Sequence, residues 1–187
     1  MLGMLIYPFR YLFIKWESKD SSSNDKLWID LFLPLLGAFI SFLILHFTSL
    51  NKVTSFFQTT AFDVLISFLQ TLPGFYLAAL AVIASFNNDF LDDLTYGEGP
   101  IDSNNEEMSR RRFLTNCIAY LSVLSMILIG ISSLIKYVDS INILIKLDHY
   151  KTIISIGSAG YVFLLLQLFF ITLLVLYYLG DRLHRAK

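Results

Sequence analysis

The sequence predicts an all-α, polytopic membrane protein with four transmembrane helices plus a short N-terminal interfacial helix. Composition points there first. Of 187 residues, 56% are hydrophobic and only 16% are charged, where a soluble domain carries roughly a quarter charged residues. Mean hydropathy is +0.63. The third observation is the pattern: four apolar stretches, each reaching the roughly 20 residues that cross a hydrocarbon core of about 30 Å, alternate with polar segments. Phenylalanine and tyrosine are heavily used, which suits long apolar faces and interfacial belts. A net charge of −1 points to neither a nucleic-acid nor an acidic-substrate partner, so direct nucleic-acid binding is not expected.

Residues 1–26 are expected to form an N-terminal interfacial helix and a polar linker. Met1–Trp16 is too short to span and lacks the basic leader and cleavage site of a secretory signal. Pro8 suits a first helical turn. Phe9, Leu12, Phe13 and Trp16 then fall at i, i+3, i+4 and i+7, with Arg10, Lys15 and Glu17 off that face. Such a helix either lies at headgroup depth, with Arg10 and Trp16 as membrane-surface anchors, or packs its apolar face on the spans. Residues 27–187 form the transmembrane domain, with spans at Leu27–Ser49, Asp63–Phe86, Phe113–Ile135 and Ile153–Leu179. Pro34 in the first span frees a carbonyl that a neighbouring helix or a local kink must satisfy. Gln70, Pro73 and Gly74 predict a kink in the second.

An even number of spans puts both termini on one side. That side holds Arg10, Lys15, Lys19, Lys26, Arg110, Arg111, Arg112, Arg182, Arg185 and Lys187. Lys52, Lys136, Lys146 and Lys151 lie opposite, so ten of the 14 basic residues mark the expected cytoplasmic side. Small residues recur along the spans: Gly37 and Ser41; Gly74, Ala78, Ala81 and Ser85; Ala119, Ser122 and Ser125; Gly157 and Gly160. Such stripes let helices approach closely within a chain or between subunits. Gln167, deep in the fourth span, is expected to hydrogen-bond a neighbouring helix or its symmetry mate. Two ionisable residues stand out near the outer interface, His46 and Asp63. Thr60 with Asp63 matches a capping box, which explains Asp63 without a function. Ser140–Lys151 is more apolar than a solvated loop needs and is expected to lie on the membrane or against a partner.

The loop 87–112 is the best functional candidate. It carries seven acids, Asp89, Asp92, Asp93, Glu98, Asp102, Glu106 and Glu107, ahead of Arg110, Arg111 and Arg112. Ser103 with Glu106 predicts a helix that starts in water and runs into the third span, with Glu106–Arg110 and Glu107–Arg111 pairs. The arginines would then anchor the span at the lipid surface. The acids, with Phe90, Leu91 and Leu94, would offer a docking surface. No EF-hand spacing is present, and no nucleophile–base set, phosphate loop or metal cluster is visible. Cys117 lies in an apolar run, as a small buried hydrophobe would. No catalytic, cofactor or metal residue is assigned, and a self-sufficient enzyme is not expected from soluble segments of under thirty residues.

The stretch LPGFYLAALAVIASFNNDFLDD (Leu72–Asp93) and the following SRRRFL (Ser109–Leu114) resemble small four-span proteins of the Kiwa anti-phage defence type, the KwaA family of membrane subunits. The resemblance implies a homo-oligomeric sensor or scaffold of the bacterial inner membrane. It also implies assembly with a soluble, DNA-binding, KwaB-like effector. The alternative class is a homo-oligomeric ion channel or membrane-disrupting pore, to which the small-residue stripes would contribute.

Overall fold

The structure, a computed structural model, describes residues 6–17, 25–47, 57, 59–85, 89–94, 99–102, 106–140 and 150–182. Its bulk is helical. Helix α1 joins a turn at Asp25–Leu27, a π-helical stretch at Trp28–Phe32 and an α-helix at Leu33–Phe47; α2 is Thr60–Ser85, α3 the short Asp89–Asp92, α4 Arg110–Ser140 and α5 Tyr150–Arg182. A 3₁₀ segment, Tyr7–Phe13, precedes strand β1 (Lys15–Glu17), which pairs antiparallel with β2 (Gly99–Ile101). Three helices are long and apolar enough to cross a membrane, and α1 contributes a shorter apolar stretch, Trp28–Ile44. At about 1.5 Å per residue, the 26-residue α2 is about 39 Å long, more than the hydrocarbon core requires.

Helix α4 is the hub. Helix α2 packs along it, α5 crosses it, the 3₁₀ segment lies on it, and α1 packs on α5. The buried core follows this plan, with Phe113, Leu114, Cys117, Leu121, Leu124 and Leu128 of α4 meeting Leu69 and Tyr76 of α2 and Leu168, Ile171 and Val175 of α5. Gly37 of α1 lies against α5, where an added Cβ would crowd the flexible tip of the Leu166 side chain.

Pro34 shapes the start of α1. It has no N–H to give the Asp30 carbonyl four residues back, and its ring crowds that oxygen. The winding loosens into the π stretch, where the Leu33 N–H reaches the Trp28 carbonyl five residues back. Gln167 Nε2 on α5 then donates to the Asp30 carbonyl at 3.2 Å. A neighbouring helix and a local change of winding thus share the task. Pro73 behaves differently: α2 is one uninterrupted helix through it.

Helix α2 has three faces. Phe62, Leu69 and Tyr76, seven residues apart, form its buried seam. Val64, Phe68, Phe75 and Val82 make a bulky exposed face. Ser67, Gln70, Gly74, Ala78, Ala81 and Ser85 share a third face, which is small, partly polar and also exposed. A Cβ at Gly74 would meet nothing within 4 Å. This stripe therefore does not pack within the chain, whereas Gly37 does.

Three local expectations are corrected. The N-terminal element is a 3₁₀ helix with three residues per turn, so Tyr11 and Ile14 turn inward while Leu12 and Phe13 are exposed. The face Phe9–Leu12–Phe13–Trp16 does not form, and Trp16 belongs to β1. Helix α4 begins at Arg110, not near Ser103. Its cap is Ser109, whose Oγ accepts the Arg112 N–H at 3.4 Å. Finally, the cap of α2 is Thr59, whose Oγ1 accepts the Phe62 N–H at 3.3 Å, so Asp63 is free to pair with Lys136 (2.6 Å). His46 stacks on Phe42, with ring centroids 5.5 Å apart, and is not brought to Asp63. The outer segment 141–149 lies outside the described residues.

Gly37→Val is expected to destabilise the purified protein by at most about 1–3 kcal/mol through overpacking, toward the lower end if the Leu166 tip turns aside. Gly74→Val, on an open face, should cost well under that. Unfolding in mixed detergent measures both.

Candidate functional site

The end of the bundle that carries the 87–112 loop is a folded platform. Three arginines in the first turn of α4 sit at the positive end of the helix dipole, an unfavourable place for cations. Carboxylates from the loop offset them. Arg111 Nε and Nη2 donate to Asp92 Oδ1 and Oδ2 at 2.6 and 3.0 Å, a bidentate clamp. Its Nη1 donates to the Ile83 carbonyl at 2.6 Å, so one guanidinium ties the C-terminal turn of α2 to α3 and α4. Arg112 pairs with Asp102 at 2.5 Å. Arg110 is buried, and its N–H donates to the Asp93 carbonyl at 3.3 Å.

Backbone pairing builds the rest. Lys15, Trp16 and Glu17 oppose Ile101, Pro100 and Gly99. On the other edge of β2, Met108 N–H donates to the Pro100 carbonyl at 3.1 Å, and Asp102 N–H to the Glu106 carbonyl at 2.9 Å. Glu106 and Glu107 are exposed. They precede α4 and make no i,i+4 pairs with Arg110 and Arg111, contrary to expectation. The arginines, expected as lipid-surface anchors, have protein partners (Arg111, Arg112) or are buried (Arg110). Leu91 is buried and Leu94 exposed. Glu98 and the side chains of Asp89, Phe90 and Trp16 lie outside the described residues. Arg10 is exposed, with its guanidinium 5.6 Å from the Tyr7 ring centre.

Beneath the platform lies a buried polar cluster. Lys26 Nζ stands 2.7 Å from Asp30 Oδ2, one helical turn on, and both side chains are over nine-tenths buried. The contact is an ion pair, close in distance but outside hydrogen-bond alignment. The Tyr11 hydroxyl donates to Asp30 Oδ1 at 2.7 Å, and Lys26 Nζ lies 4.4 Å from the Tyr11 ring centre. Tyr11 also stacks on Tyr120, at 5.3 Å between centroids. Tyr120 donates to Gln167 Oε1 at 3.0 Å, which closes the circuit through the Gln167–Asp30 contact. Burial, reinforced by Cys117 and Asp30, pushes the Tyr11 phenol well above its ordinary value, so it stays a donor.

Asp30, Lys26 and Tyr11 are the site residues that a hydropathy pass overlooks. Lys26 falls in the expected linker and Asp30 three residues into the first expected span. Their i,i+4 spacing, Lys then Asp, is the signal that reveals them. Of the expected residues, Gln167 joins this cluster, and Asp92 and Asp93 join the platform with the arginines. Gly74, Ala78, Ala81 and Ser85 share the open face of α2. Comparison with known proteins finds no matching family model, no similar curated protein and no similar solved structure.

Two outcomes are expected. Asp30→Ala, which strands Lys26 in the core, should lower stability by about 3–5 kcal/mol, and the double change Lys26→Met with Asp30→Leu should restore much of it. The hydrogen bond from Arg111 holds the Asp92 carboxyl below its usual 3.8. A lowered folded value means a contribution present above the unfolded pKa and lost as pH falls through the folded one. The clamp should therefore persist unchanged from neutrality to about pH 4 and release only in stronger acid. The Asp92 carboxyl carbon shift in NMR titration reads this directly.

Proposed function

We propose that the chain is a non-enzymatic membrane scaffold whose loop platform docks a soluble partner. The supporting observation is that the described parts of the loop, 89–94, 99–102 and 106–112, are built rather than merely solvated. They are tied to the N-terminal strand by β1–β2 pairing, clamped by Arg111–Asp92 and Arg112–Asp102, and present Glu106 and Glu107 outward. A loop that only returned the chain to the bilayer would need none of this. The proposed arrangement has four spans, α1 included, in the bacterial inner membrane, with both termini and the platform cytoplasmic. The ten-to-four distribution of the 14 basic residues supports it. The open small-residue face of α2 serves as the contact between subunits of a homo-oligomer, with Gln70 finding across that contact the partner it lacks in hydrocarbon.

The Kiwa-type resemblance of Leu72–Asp93 and Ser109–Leu114 gives the proposal its specific form, a sensor subunit of an anti-phage defence complex that holds a KwaB-like DNA-binding effector. One observation favours a second reading. Ser67, Gln70 and Thr71 on the exposed side of α2 would line a polar path if subunits met around an axis, as in a homo-oligomeric channel.

Mild-detergent affinity purification from the native host, followed by mass spectrometry of the intact assembly, tests the scaffold. Several copies plus one soluble protein are expected. Glu106→Lys with Glu107→Lys should release that protein at least about tenfold more readily while leaving the oligomer intact. Gly74→Leu should break the oligomer. A homo-oligomer with no soluble partner, leaky to ions in liposomes, would replace the scaffold with the channel.

A further inference from the structure

The N-terminal strap, residues 6–17, is held at two places. Its 3₁₀ turn is fixed to the bundle by Tyr11, and its strand β1 is paired with β2 of the platform. Neither half is self-sustaining. A seven-residue 3₁₀ helix is longer than the winding usually holds unaided. Two strands of three residues make a sheet too small to stand alone in water. The strap rests on α4 through Phe9 and Tyr11 against Tyr120, and its one tie to α1 among the side-chain bonds described is the Tyr11–Asp30–Lys26 contact.

That contact depends in turn on how α1 lies against α5. Gly37 of α1 faces the flexible tip of Leu166 on α5. The next residue, Gln167, holds the Asp30 carbonyl and accepts from Tyr120, the ring on which Tyr11 stacks. A contiguous series of contacts therefore runs from Leu166 and Gly37 through Gln167, Asp30 and Tyr11 to β1 and β2. We infer that the strap is a transmission element, through which the fit of α1 against α5 inside the membrane sets the order of the β1–β2 platform. Movement of α1, which packs chiefly on α5, withdraws the Asp30 carboxylate from Tyr11 and frees the strap. The platform then loses a strand. That this regulates docking rests on the proposed function; the coupling itself does not.

The test is amide hydrogen exchange by mass spectrometry on the full-length protein in lipid nanodiscs. Gln167→Met removes the donor to the Asp30 carbonyl and the acceptor for Tyr120 while lying in neither strap nor platform. It should speed exchange in 15–17 and 99–101 by about tenfold or more, with the centre of α4 unchanged. Tyr11→Phe, which removes only the hydroxyl, should produce the same acceleration. Gln167→Met should add nothing on top of it, the signature of one shared path. If Gln167→Met does not fold, Gly37→Trp, too large for the Leu166 tip to accommodate by turning aside, perturbs the α1–α5 fit and is read the same way. Persistent protection of 99–101 in the single variant, or accelerations that multiply in the double variant, would overturn the inference. Partner binding is not a readout here, so a failed docking experiment leaves this outcome standing, and the reverse.

Discussion

Asp30 is the only buried carboxylate among the described residues, and what it requires positions three other elements. A carboxylate removed from water must be neutralised and its oxygens given donors. Lys26 supplies the charge from one turn earlier on the same helix, Tyr11 supplies a hydroxyl from the strap, and Gln167 satisfies the carbonyl that Pro34 leaves open. Replacing such a pair by hydrophobic residues is often neutral or better for stability. The cluster therefore explains geometry more than it explains total stability. It fixes where the strap lies, how α1 is wound and which turn of α5 faces it.

The helices were legible because their signal is an average. Twenty apolar residues in a row announce themselves whatever the details, and the expected spans begin and end within a few residues of α1, α2, α4 and α5. The cluster was hidden by the same averaging, since one aspartate hardly lowers the hydropathy of Leu27–Ser49. Local codes misled where two fits were available. Ser103 with Glu106 and Thr60 with Asp63 both match a capping box, yet Ser109 and Thr59 cap the helices, because long-range partners won. Asp92 reaches Arg111 across 19 residues and Asp102 reaches Arg112 across 10, spacings that no helical period contains. The strap failed for another reason. Its residues suit an α-helix equally well, and burial of Tyr11 against Tyr120 selects the tighter 3₁₀ turn.

Bilayer surroundings change what an exposed face means. Lipid tails do not drive apolar helices together, so faces are sorted by size and polarity instead. On α2 the bulky residues Val64, Phe68, Phe75 and Val82 face outward as an ordinary lipid-contacting surface. The small and polar stripe beside them has a different chemistry at the same exposure. Two exposed faces of one helix thus carry different assignments, and only the arrangement around α4 separates them. The groove of about 820 Å³ between α1 and α5, lined by Trp28, Phe32, Phe39 and Phe163, belongs to the ordinary apolar kind.

The donor that satisfies the Asp30 carbonyl lies 137 residues further along the chain, and this separation bears on biosynthesis. The ribosome delivers α1 before α5. Lys26 accompanies Asp30 from the start, so the two charges can offset each other as soon as α1 is made. Its open carbonyl and the Tyr11 hydroxyl have no final arrangement until Tyr120 and then Gln167 have been inserted. A helix made early therefore waits for part of its native surroundings, and a chain stopped short of α5 lacks the donor to the Asp30 carbonyl. Contacts available only late in synthesis thus complete the surroundings of a helix made early.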